Sequence, residues 1–411
     1  MPLPAVLGNR SFVNYLSGVV LSQIGTRGAM TASLYQVYEL TGSISTTGLV
    51  GAAGGLAVVV LSPVGGALAD RQDRRRLLQL AQTAGGLVAV ALAVLTLSGT
   101  VEAWHVILAS LLSMGATTFD NPTRNALVGS MVPNSQLPQA VALLNPAREA
   151  AVLIGPGLAG VLIAVGGPGL VYALDAVTFG AMITLLFFID APTEHVAREH
   201  KPILGAIADG ARYVAGRPII LLLMSLDLSA MVFGAYRVLL PAIALDVLEV
   251  GPQGYGLLAA APSAGAVLAT VGIVRVLDRS RRLGRTALLA TGCFALADLV
   301  LAWSPSFALA LAAAISLGVA DALATSIRHA AVQTETPDEL RGRVSSIYQV
   351  SSRGGPAIGD AAIGAIAGLV GPAVALTIGA GVTMSYVTVM LARPNALRSY
   401  AGPERDVAGA H

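Results

Sequence analysis

The sequence predicts an all-α polytopic membrane protein, with twelve transmembrane helices in two pseudo-symmetric six-helix bundles. Three observations carry the prediction. Composition comes first: 55% of residues are hydrophobic, only 12% are charged, and mean hydropathy is +0.73. A water-soluble domain carries about 25% charged residues, and only a lipid-facing surface removes that need. Second, apolar stretches of bilayer-crossing length recur along the whole chain. Third, basic residues gather in alternate connectors.

The apolar stretches lie at 13–37, 46–69, 77–99, 104–127, 139–165, 169–190, 219–244, 254–277, 286–303, 306–327, 343–367 and 372–392. A helix needs about 20 such residues to cross the hydrocarbon core, and a β-barrel would instead show alternating segments of about ten. The odd-numbered connectors hold Glu39, Glu102, Asp246 and Glu249 without a basic residue. The even-numbered ones hold Arg71, Arg74, Arg75 and Arg76; Arg198, Lys201, Arg212 and Arg217; Arg279, Arg281, Arg282 and Arg285; and Arg328, Arg341 and Arg343. Arg10 precedes the first span, and Arg393, Arg398 and Arg405 follow the last. Basic loops stay cytoplasmic, so a multi-pass protein of the cell inner (plasma) membrane with both termini in the cytoplasm is expected. No cleavable signal peptide is expected, because the first apolar stretch outruns a signal-peptide core.

Domain organisation follows from the longest connector. Residues 1–190 form a first six-helix bundle, 191–218 a cytoplasmic linker, 219–392 a second bundle and 393–411 a tail. In the linker, Ile203, Leu204, Ile207, Ala211 and Val214 recur at helical spacing, the pattern of an amphipathic surface helix. The bundles repeat in sequence. Asp70-Arg71-Gln72-Asp73-Arg74-Arg75 is echoed by Asp278-Arg279-Ser280-Arg281-Arg282, Arg124 by Arg328, Pro133 by Pro337, and Gly155-Pro156 by Gly355-Pro356. Duplicated helix bundles are characteristic of secondary transporters, which hold substrate between the repeats.

Charges within spans are costly, about 2.5–3.5 kcal/mol each at the bilayer centre, and normally face the bundle interior. By depth these are Arg27, Arg148, Glu149, Asp175, Asp227, Arg237, Arg353 and Asp360, with Asp298 and Asp321 nearer helix ends. They read as cavity or proton-coupling residues, or as fixed interhelical ion pairs. Arg353 and Asp360 share a helix face seven residues apart, whereas Asp120 and Arg124 have the i, i+4 spacing of a direct pair.

Gly66-Ala67-Leu68-Ala69-Asp70-Arg71-Gln72-Asp73-Arg74-Arg75-Arg76, between the second and third spans, resembles the signature loop of the major facilitator superfamily. The resemblance covers essentially the whole chain. It departs at Asp73, where the family usually has glycine. It implies that Gly66, Asp70, Arg71 and Arg74 form a cytoplasmic gate, with Asp70 against the start of the eleventh helix and Arg74 reaching Asp120 beside Arg124. A charge at a helix end contributes about 0.3–1 kcal/mol when exposed. Leu153-Ile154-Gly155-Pro156-Gly157-Leu158-Ala159-Gly160 resembles the Gly-Pro motif of the antiporter branches, in which Gly155, Pro156 and Gly160 permit close helix packing. Phe119-Asp120-Asn121-Pro122-Thr123-Arg124, Leu239-Leu240-Pro241, Gly254-Tyr255-Gly256-Leu257 and Pro337-Asp338-Glu339-Leu340-Arg341-Gly342-Arg343 are similar to the enterobactin-exporter-like efflux branch. Many of its members carry an acid after the first-helix glycine, where this chain has Gly25-Thr26-Arg27.

The resemblance implies proton-coupled efflux of a small organic molecule (drug, siderophore or natural product) by alternating access, with no cofactor and the proton gradient as energy source. The arginines in the spans favour an anionic or chelating substrate. The alternatives are an importer on the same fold and a non-transporting receptor or scaffold. An enzyme is disfavoured: His105, His195, His200, His329 and His411 lack metal-ligand spacing, the single Cys293 excludes an intrachain disulfide, and no phosphate-binding Gly-x-x-x-x-Gly-Lys loop occurs. The expected partners are the substrate, protons and the lipid bilayer, with no nucleic acid. Oligomeric state is not legible, although a monomer suffices for the fold.

Overall fold

A backbone surrounded by lipid must satisfy its polar groups internally, and among the described residues the chain forms helices and no strand. The computed structural model describes residues 5–71, 74–133, 135–189, 210–280 and 282–402, without the side chains at 62–71, 74, 119–126, 130, 278–279, 338–339, 341–342, 345–346, 349–350 and 353. The helices are α1 (Arg10–Thr41), α2 (Ile44–Arg71), α3 (Arg74–Leu97), α4 (Ala103–Met131), α5 (Leu137–Gly166), α6 (Pro168–Phe187), α7 (Pro218–Phe233), α8 (Gly251–Arg279), α9 (Leu283–Ala302), α10 (Phe307–Thr334), α11 (Asp338–Val370), α12 (Pro372–Ala392) and the short α13 (Ala396–Ser399). Each of the twelve predicted spans meets one of α1–α12, and nine helices among the described residues are long and apolar enough to cross a membrane. The linker helix falls mostly outside the described residues; 210–215 are helical.

Local chemistry sets the ends. Asn9 caps α1 by accepting the Phe12 N–H at 3.2 Å, and Gly42 closes it in the left-handed conformation, φ 59°, donating to Tyr38 O at 2.7 Å. The turns before α6 and α12 match. Gly167 (φ 80°) precedes Pro168, and Gly371 (φ 83°) precedes Pro372, because glycine tolerates positive φ and proline suits the first helical turn.

Three expectations need correction. The seventh span is not continuous: α7 stops at Gly234, and the chain resumes through a 3-10 turn (Tyr236–Leu239), Leu240–Ala242 and one π-turn (Ile243–Val247). The Tyr236 N–H bonds Gly234 O at 2.9 Å rather than continuing the helical ladder. Arg328 is not in a connector but within α10, 1% exposed. Asp338–Arg343 likewise opens α11 rather than preceding it.

The chain divides into two compact units, Met1–Glu199 with Arg237–Ala260, and His200–Tyr236 with Ala261–His411. In the first, α1 packs on α5 and α6, α3 on α4 and α6, and α5 on α6. In the second, α7 packs on α11 and α12, α9 on α10 and α12, and α11 on α12. The pairings recur in the same order, as duplication requires. Gly155 and Gly355 show it at residue level: a methyl on Gly155 would lie 2.7 Å from Arg27 Cβ on α1, and one on Gly355 would lie 3.2 Å from Leu228 on α7.

Each unit has its own buried apolar cluster. The first gathers Phe12, Tyr15, Leu78, Leu127, Leu144, Met182 and Leu186; the second gathers Leu223, Leu226, Leu288, Ile327, Val387 and Leu397. The outer faces are apolar too. Leu87, Val90, Val94 and Leu97 on α3, and Val267, Leu268, Val271 and Val274 on α8, are exposed at helical spacing. Stripes this extensive mark contact with another apolar phase, here the acyl chains.

Candidate functional site

In the middle of α1 three successive residues are drawn into the first unit. Gly25 packs so closely on α6 that a methyl would lie 2.7 Å from Asp175 Oδ1. Thr26 donates to Asp175 Oδ1 at 3.3 Å, and Asp175 is buried. Arg27, half-buried, lies against Gly155 on α5. Glycine-mediated contacts thereby join the Thr26 hydroxyl to the Asp175 carboxylate and, one residue on, seat Arg27 against α5.

The Gly-Pro segment of α5 supplies a close backbone crossing in this unit. A methyl on Gly160 would stand 2.7 Å from Gly256 Cα and 2.8 Å from Pro252 O; one on Gly256 would stand 2.6 Å from Gly160 Cα and 2.8 Å from Pro156 O. α5 and the first turns of α8 thus touch backbone to backbone. Hydroxyls fasten the same region to α1. Tyr255 donates to Thr31 O at 2.8 Å, Tyr38 donates to Asp246 Oδ2, and Leu240–Ala242 packs on α1. Tyr172 donates to Gln36 Oε1 at 2.9 Å, and Gln36 in turn donates to Thr96 Oγ1 at 3.2 Å. Gly256 was readable as part of a branch motif, but its pairing with Gly160 was not, since the two are far apart in sequence.

In the second unit the principal polar feature is an ion pair. Arg328 Nη2 lies 2.7 Å from Asp227 Oδ1 on α7, donates to Thr325 Oγ1 at 2.6 Å and lies 3.8 Å from Asp321 Oδ1; Thr325 donates to Asp321 at 3.2 Å. Asp227 and Arg328 are both buried, so neither charge has water to fall back on. Asp227 thus has a fixed basic partner that sequence reasoning had placed in a connector. Asp360 on α11 is buried, Arg237 is exposed in the 3-10 turn, Arg148 is half-buried and Glu149 exposed on α5. The Arg353 side chain lies outside the described residues, as do those of Gly66, Asp70, Arg71, Arg74, Asp120 and Arg124. Among the described residues no group of His, Cys, Asp or Glu side chains converges to hold a metal ion.

The family model described as transmembrane secretion effector matches residues 5–401. The chain belongs to this major facilitator family. Its curated relatives include the enterobactin exporter EntS of Citrobacter koseri, 29% identical over 365 residues, 87% of this chain and 85% of that protein. The EntS of Escherichia coli O157:H7 is 29% identical over 343 residues, 82% of this chain and 80% of that one. Among solved structures, the nucleoside transporter NupG superposes with a TM-score of 0.73 at 15% identity, over 93% of this chain and 98% of that one. A bacterial homologue of the iron transporter ferroportin superposes with a TM-score of 0.72 at 16% identity, over 92% and 99%. This major facilitator protein is a multi-pass membrane transporter and not an enzyme.

Proposed function

We propose that this transporter exports a small organic molecule, of the siderophore, drug or natural-product kind, in exchange for protons. The similarity to enterobactin exporters over more than four-fifths of both chains carries the reading. The Gly160–Gly256 crossing supports it, because a helix pair with no gap between backbones lets no water or proton file pass there. In this reading the protein lies in the inner membrane with both termini cytoplasmic. Gly66, Asp70, Arg71, Arg74, Asp120 and Arg124 govern the cytoplasmic gate. Arg27 and Arg148 in the first unit and Arg353 in the second are the basic groups offered to an anionic or chelating substrate, and Asp175 in the first unit and Asp360 in the second are acids offered to protons.

The test is transport into inside-out vesicles and proteoliposomes of a panel of siderophores, drugs and dyes, with an imposed pH gradient. Export predicts uphill accumulation in inside-out vesicles that stops when the pH and voltage gradients are both collapsed. Uphill movement that survives the collapse overturns proton coupling. Gradient-driven accumulation in right-side-out vesicles instead establishes an importer.

A further inference from the structure

α7 ends at Phe233, partway along the apolar stretch Pro218–Val247, and beside that end lies a buried acid. Asp298 on α9 is 1% exposed, and among the described residues neither of its carboxylate oxygens has a hydrogen-bond partner. A methyl on Gly234, the residue closing α7, would lie 2.4 Å from Phe294 Cε1, 2.6 Å from Ala230 O and 2.9 Å from Asp298 Oδ2. The carboxylate and a last-turn carbonyl of α7 therefore border the same point.

Two sources of negative potential meet there. The C-terminal end of a helix carries about half a negative charge, and Ala230 O, which accepts the Gly234 N–H at 2.8 Å, keeps a second lone pair. In α7 the ladder stops because the Tyr236 N–H is turned to Gly234 O. An anionic side chain is the group least suited to that end, and a buried charge without a donor or counter-ion is strongly unfavourable. The charged groups on the packed elements are committed elsewhere or distant. Asp227 on α7 and Asp321 and Arg328 on α10 belong to one network. Tyr386 on α12 is hydrogen-bonded with Ser225 at 2.6 Å, and Arg398 on α13 donates to Ala392 O. His329 on α10 packs edge-on against Tyr348, and Arg285 on α9 itself lies more than three turns from Asp298. None forms an ion pair with it among the described residues. Discontinuous helices whose C-terminal ends face a carboxylate are the arrangement by which transporters hold a coupling cation. Phe294 and the Ala230 carbonyl border the same point as the carboxylate, and a proton, unlike a metal cation, needs no shell of oxygen ligands.

We propose that Asp298, set against the broken end of α7, is the proton-binding site of the second unit. The proton adds to the carboxylate to give a neutral acid that donates to a last-turn carbonyl of α7. It leaves again when the break at Gly234–Ala235 opens to water, restoring the carboxylate. The assignment rests on the proton-coupled reading for its role in transport, but not for its existence.

Infrared difference spectroscopy between acid and alkaline pH on the purified full chain tests it without a known substrate. The wild-type protein is expected to show the carbonyl band of a protonated carboxylic acid, shifted by deuteration. One component of it disappears in Asp298→Asn and moves, without disappearing, in Asp298→Glu. A spectrum unchanged in both variants overturns the proposal. So does stabilisation of the wild-type protein, and not of Asp298→Asn, by sodium over potassium, which assigns the site to sodium. In vesicles, gradient-driven efflux by Asp298→Asn is expected to fall about tenfold or more while counterflow stays near wild type. If wild-type efflux ignores the pH gradient yet the Asp298 component is present, the coupling reading fails and the site stands.

Discussion

The acid buried against α1 in the first unit, Asp175, is met by a neutral hydroxyl, Thr26, at 3.3 Å; the acid on α7 in the second unit, Asp227, is met by the Arg328 guanidinium at 2.7 Å. The surrounding packing is the same, with the first helix of each unit lying on its fifth and sixth through glycine contacts. What differs is how the buried charge is compensated. Duplication has preserved the helix pairing, which depends on small residues and apolar volume, while the polar groups have diverged. A fixed ion pair locks a helix interface, whereas a carboxylate held by one hydroxyl keeps its remaining lone pairs free to meet a substrate or a proton.

This contrast can be broken experimentally, and the largest effect belongs to the ion pair. Asp227→Asn leaves Arg328 buried without its principal counter-charge and should cost about 3–5 kcal/mol. The melting temperature of the purified protein reads it, and Asp227→Asn combined with Arg328→Gln should recover most of the loss. If Asp175→Asn proves as damaging as Asp227→Asn, the distinction between the units is wrong.

Next comes the backbone crossing. Gly256→Ala drives a methyl into Gly160 Cα and Pro156 O, neither of which can yield by a rotamer change, and should cost about 1–3 kcal/mol by overpacking. Gly157→Ala, one helix face away where a methyl meets nothing within 4 Å, should be neutral or stabilising by about 0.5–1 kcal/mol. Melting curves of the two variants, with uptake of a membrane-impermeant dye to monitor leak, separate a sealing contact from ordinary packing. Equal behaviour of the two variants would remove the argument for the Gly-Pro segment.

Smaller effects remain on each side. Thr26→Val removes the 3.3 Å hydrogen bond to Asp175 and should cost about 0.5–1.5 kcal/mol, with a larger change in transport than in melting if Asp175 serves the cavity. Tyr213→Phe removes the hydrogen bond to Glu335 O, 2.8 Å, that ties residues 210–215 to the end of α10. It should cost less than about 1 kcal/mol and appear as faster proteolysis in the segment joining α6 to α7.

Legibility in the sequence followed the range of the force involved. Spans were readable because the solvent acts on every residue of a helix, so about 20 apolar residues announce themselves. Arg328 was misread because a basic residue near the end of an apolar run looks like an anchor; its partner Asp227 stands on another helix, and nothing local marks the pair. The break after Phe233 was hidden too. Gly234-Ala235 is unremarkable in a chain with 46 glycines, and what makes it a break is the crowding of Phe294 and Asp298 against it. Gly155 and Gly160 were recognised as packing residues, yet only the fold assigned them different neighbours, Arg27 for one and Gly256 for the other.

By itself the sequence determined the membrane-spanning helical class, the approximate place of the spans and the internal duplication, because hydropathy and repeat are properties of contiguous residues. The tertiary structure decided which charges are neutralised and which stand alone. Asp175, Asp227 and Asp298 are equivalent as letters, each an acid within an apolar run. A hydroxyl, a guanidinium and a helix end set beside them by packing give them three different chemistries.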